Sequence, residues 1–155
     1  MTKRASGTDC KNMPNIAKEN KREAILNAAF TTFKNYGYRK TSMHDIATAL
    51  GISRASLYSY FENKDDIFRC VLISVTESGL VEAKRCIGLS ALDLTSRIEA
   101  ALLARYLPLH QMLIESAHGE EIAETYFRLC GDSFADSFAQ SKDILTAALK
   151  SANRK

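Results

Sequence analysis

The sequence predicts an all-α protein, and three observations carry that reading. Apolar residues recur at helical spacing along most of the chain. No run of alternating apolar and polar residues rich in β-branched types is long enough to insist on a strand. Ser, Asn and Gly fall where the periodic segments begin and end, as helix caps do.

The first 14 residues, polar and closed by Pro14, read as a flexible basic tail. The first helix is expected over Ile16–Asn35, with Ile25, Ala28, Ala29 and Phe33 on its inner face and Gly37 after its end. A short second helix follows. Ser42 and Asp45 have the spacing of a capping box. Met43, Ile46, Ala47 and Leu50 then lie on one face, and Gly51 stops the helix. Ser53 can cap a third helix ending near Tyr60, and Asn63 a fourth running to about Ile87, with Gly79 a weak point. Asp65 and Asp66 favour the positive start of that fourth helix. Two further tracts are expected. One spans about Asp93–Glu115, bent or restarted at Pro108. The other spans about Gly119–Ala152, with a stripe of Ile122, Tyr126, Phe127, Cys130, Phe134, Phe138, Leu145 and Leu149.

Composition excludes several classes. Hydrophobic residues make up 46% and charged residues 25% of the 155, which is ordinary globular usage. No segment has the apolar length of a membrane span, and the polar N-terminus does not resemble a secretory signal. The four Cys, at 10, 70, 86 and 130, have no paired-knuckle spacing, so a reducing, cytoplasmic setting fits and no structural metal or cofactor is expected. The three His form no metal-ligand or catalytic motif, so an enzyme is not expected. Charge is uneven. Residues 1–64 carry 11 Lys and Arg against 5 Asp and Glu, whereas 65–155 carry 10 against 13. A basic first half on an acidic remainder suits a polyanionic partner.

Residues 42–60 combine into a helix-turn-helix. Ala47 is small where two helices must cross closely. Gly51 sits at the tight turn, and Leu57 on the core side of the next helix. The surrounding Thr41-Ser42, Ile46-Ala47, Gly51, Ser53-Arg54, Leu57-Tyr58, Tyr60-Phe61 and Lys64 resemble the DNA-binding module of the TetR (AcrR) family of bacterial transcription regulators over residues 22–68. The resemblance implies a DNA-binding domain over 15–63 and a helical ligand-binding and dimerisation domain over 64–155, shorter than usual for the family. Members carry two further helices that build the dimer's four-helix bundle, and the Phe134–Leu149 stripe is the candidate substitute interface.

Site roles carried over from the resemblance make physical sense. Thr41 and Ser42 would hold a phosphate at the start of the second helix, and Ser53 and Ser56 another around the third. Arg54 would bond a guanine edge in bidentate fashion, worth roughly 1–3 kcal/mol of discrimination. Ala55 suits a thymine methyl. Tyr58, Ser59, Tyr60 and Lys64 would reach phosphates or sugars, with Arg39 and Lys40 as neighbours. In the second half Tyr106, His110, Met112, Tyr126, Phe127, Cys130, Phe134 and Phe138 are candidates to line an effector pocket. The implied function is a ligand-responsive repressor, a homodimer on a palindromic operator in double-stranded DNA, released by a small molecule. Two other readings are a ligand-binding helical protein with a non-functional DNA module, and a DNA-binding regulator without a ligand.

Overall fold

The computed structural model describes residues 16–152, all in six helices and their connections, so the N-terminal tail expected from the sequence lies outside the described residues. The helices are α1 (Ile16–Tyr36), α2 (Met43–Leu50), α3 (Arg54–Tyr58), α4 (Lys64–Ile87), α5 (Leu94–Leu113) and α6 (Gly119–Ala152).

Local chemistry fixes the short helices. Ser42 and Asp45 form a reciprocal capping box at α2, the Ser42 amide donating to the carboxylate at 2.8 Å. Gly51 ends α2 at φ +68°, where an L side chain would be strained. Ser53, Asn63 and Asp93 cap α3, α4 and α5 by accepting the amide three residues on. Acidic Asp65 and Asp66 lie in the first turn of α4, and basic Lys84 and Arg85 in its last.

Two expectations about helix breaks are corrected. Gly79 does not break α4, which runs through it, and it lies under α5: a Cβ there would come 3.0 Å from the Arg105 carbonyl oxygen. The glycine is a contact point between backbones. Of the bend or restart expected at Pro108, the restart is excluded, since α5 runs unbroken from Leu94 to Leu113.

One apolar core joins all six helices. Ile25, Ala29 and Phe33 of α1, Ile46 and Ala47 of α2, and Leu57 of α3 pack with Ile67, Phe68, Val71 and Leu72 of α4. The same cluster takes in Leu109 and Met112 of α5 and Ile122, Tyr126 and Cys130 of α6. Phe33 and Phe68 meet edge to face at 5.1 Å between ring centres. At the far end α4 and α5 approach through the small residues Ala83, Cys86 and Ala101.

The expected single stripe on α6 divides into two faces. Ile122, Tyr126 and Cys130 are buried, and the inward row continues through Ser137, Ser141 and Ala148. Phe127, Phe138 and Leu149 are exposed on other faces. The expectation for the Phe134 side chain lies outside the described residues.

Candidate nucleic-acid interface

The helix-turn-helix presents α3 outward with its core side anchored by Leu57, which is fully buried. Arg54, Ala55, Tyr58 and Ser59 are exposed, and Ser56 is half-buried. The Arg54 guanidinium lies 5.9 Å from the centre of the Tyr58 ring, one helical turn on, and no carboxylate among the described residues pairs with it. An exposed cation, a methyl-sized residue and a phenol on one face of a capped helix can meet base edges and backbone together. Ser53 is exposed and its hydroxyl oxygen accepts the Ser56 amide, while Ser59 donates to the Ser56 carbonyl at 2.6 Å. Tyr60 is half-buried against the core, with Lys21 6.0 Å from its ring centre.

Three side chains differ from expectation. Thr41 is buried and its hydroxyl donates to the Gly37 carbonyl at 2.6 Å, so it braces the loop before α2 and its hydroxyl does not reach outward. Ser42 is exposed, but its hydroxyl is engaged with Asp45 in both directions. The Asp45 carboxyl is held below the usual aspartate range by these bonds from Ser42, and its charge occupies the helix start where a phosphate was expected. Lys64 is half-buried, donates to the Tyr38 carbonyl at 2.8 Å and lies 4.2 Å from the Tyr38 ring centre. Burial lowers its pKa. Lys64 therefore fastens α4 to the α1–α2 loop. Arg39 and Lys40 remain exposed beside the interface.

The α1–α2 loop is also gripped from the second half, which the sequence pattern did not reveal. Ser116, in the α5–α6 turn, donates to the Lys34 carbonyl at 2.6 Å. The Arg39 amide donates to Glu121, and the Arg39 side chain pairs with Glu124 at 3.1 Å. The Tyr38 hydroxyl donates to Asp65, and burial raises its pKa. Gly37, at φ +79°, has no room for a side chain beside His118. A cleft lined by Tyr36, Lys40, Asp45, Thr48 and His118 runs alongside.

These comparisons with known proteins bear on the module. Residues 25–71 match the family model described as bacterial regulatory proteins, tetR family. This module is a TetR-family module. The Bacillus subtilis HTH-type transcriptional regulator YfiR is 40% identical over 81 residues, which cover 50% of this chain and 38% of that protein. The Escherichia coli HTH-type transcriptional regulator RutR is 34% identical over 64 residues, 41% of this chain and 30% of that one. The matched part thus spans well under half the length of these curated relatives. The TetR fold extends further than the sequence match. A TetR-family regulator from Marinobacter aquaeolei superposes with a TM-score of 0.60 at 20% identity, covering 91% of this chain and 72% of that one.

The expected effector-pocket residues do not converge. Met112, Tyr126 and Cys130 belong to the core shared with the TetR module. Phe127 and Phe138 are exposed, and His110 is exposed 3.6 Å from Glu115. Of these candidates whose side chains are described, Tyr106 alone lines the α4–α5–α6 seam. Burial pushes the Cys130 thiol up, which keeps it protonated rather than redox-poised. Among the described residues no group of three or more His, Cys, Asp or Glu is placed to hold a metal, and no helix is long and apolar enough to cross a membrane.

Proposed function

We propose that the chain is a sequence-specific regulator of transcription that binds double-stranded DNA through α3 as a homodimer and is released from its operator by a small molecule. It acts by binding rather than by catalysis, and works in the cytoplasm. The observation that carries this reading is the outward face of α3, where Arg54, Ala55 and Tyr58 stand free between two capped helix starts in a TetR module. The similarity of the module to YfiR and RutR, both HTH-type transcriptional regulators, supports it. A dimer would set two such helices about 34–36 Å apart, one turn of duplex. Exposed Phe138 and Leu149 on α6 offer apolar surface for the second copy.

Selection of bound sequences from a random duplex pool, wild type beside Arg54→Ala, tests it. A two-fold symmetric motif for the wild type, lost in the variant, is expected. Enrichment that survives Arg54→Ala would overturn the readout, and no enrichment at low salt would overturn DNA binding.

A further inference from the structure

The inner row of α5 is Ala101, Arg105, Leu109 and Met112. Arg105 is the one charged side chain in it and is only 4% exposed. Its Nε donates to the Ser141 hydroxyl at 3.0 Å and its Nη2 to the Ser137 hydroxyl. The Ser141 hydroxyl in turn donates a hydrogen bond to the Ser137 carbonyl at 2.9 Å. Nη1 is buried and has no hydrogen-bond partner, and no carboxylate among the described residues lies within ion-pair distance. Two neutral hydroxyls and the face of the Tyr106 ring, 5.0 Å from the guanidinium carbon, do not offset the loss of water around a full positive charge. Leucine or methionine would serve a merely structural seam better.

The seam beside the guanidinium is closed to about 10 Å³ of free space, no more than one water needs, and is walled by Ala83, Leu102, Tyr106, Ile144 and Leu145. We propose that it is the anchoring site of an apolar monocarboxylic acid, the carboxylate taking the Arg105 guanidinium and the hydrocarbon body lying against Leu102, Ile144 and Leu145. A planar monoanion matches the fork of an arginine. A dianion would bring twice the charge to a single buried cation, and a cationic ligand would be repelled. Glu77 and Asp136 line a separate groove beyond Ser137, which directs a carboxylate to the Leu102 side.

This deepens the ligand-responsive reading and rests on it for the regulatory consequence. Because the cavity is narrow, the acid favours a state in which α6 stands further from α5. Leu109 and Met112, one and two turns along α5 from Arg105, sit in the core shared with the DNA-binding module.

Calorimetric titration of the full chain with octanoate and benzoate, each beside its amide, tests the site in wild type, Arg105→Met and Arg105→Lys. At least one acid should bind the wild type about tenfold or more tighter than its amide. That preference should vanish in Arg105→Met and persist, weakened, in Arg105→Lys. Arg105→Met should melt at or above the wild-type temperature, since its arginine is held against the interest of stability. If Arg105→Met does not fold, Arg105→Gln takes its place in the same comparison. No acid preference in the wild type, or a preference that survives loss of the charge, overturns the proposal. DNA binding by the same samples separates the two readings. Intact DNA binding without acid preference sinks this site alone, and acid preference without DNA binding sinks the regulator.

Discussion

At the scale of single residues, the interface mixes groups that face outward with groups spent on the protein itself. Thr41, Ser42 and Lys64 fit the family's pattern of residue types, yet their polar atoms are satisfied internally. Residue type was legible in the sequence. The direction of each side chain was not, because it depends on carbonyls and carboxylates brought in by the fold. Thr41→Val keeps the shape and removes the donor to Gly37. It should cost about 1 kcal/mol in urea unfolding while leaving the salt dependence of DNA binding unchanged. Asp45 gives a pH test. Its carboxyl has a depressed pKa in the folded state, so its stabilising effect is full above the ordinary aspartate value and is lost as pH falls through the folded one. Thermal melts of wild type and Asp45→Asn should therefore differ at neutral pH and converge in acid.

At the scale of elements, caps and periodicity made the helices readable. Expected and observed bounds agree for α6 and lie within two residues for the other helices. What the sequence pattern hid was contact between elements. Arg105 lies on the buried row of α5 at spacing that could have marked it, but a charge in that row reads as a surface residue until α6 covers it. Glycines divide the same way. Gly51 has open space around its Cβ position, so Gly51→Ala should cost only the left-handed strain, about 1–2 kcal/mol. A Cβ at Gly119 would fall 1.9 Å from the Leu113 carbonyl oxygen. Gly119→Ala must push the α5–α6 turn apart, and chemical denaturation should show a loss well beyond that of Gly51→Ala.

At the scale of the whole molecule, the helix-turn-helix does not own its core. Leu109, Met112, Ile122, Tyr126 and Cys130 close it from below. Removing α5 and α6 would take these five buried residues out of the cluster and bare apolar surface on the helices left behind. A fragment of residues 16–74 should therefore melt without a sharp transition or at a much lower temperature than the full chain, as followed by circular dichroism. A sharp melt at the full-chain temperature would mean that the helix-turn-helix is self-sufficient.

Pro108 gives that arrangement a mechanical meaning. It has no amide to offer the carbonyl of Ala104, so the backbone ladder of α5 lacks one rung between Arg105 and Leu109. Gly79 lies against the carbonyls on that same side, with no side chain to splint them. The backbone of α5 is thus least braced between the turn that carries the buried charge and the turn that plugs the helix-turn-helix core. A push at Arg105 would be felt at Met112 as a change of angle, as in a lever with its fulcrum at the proline.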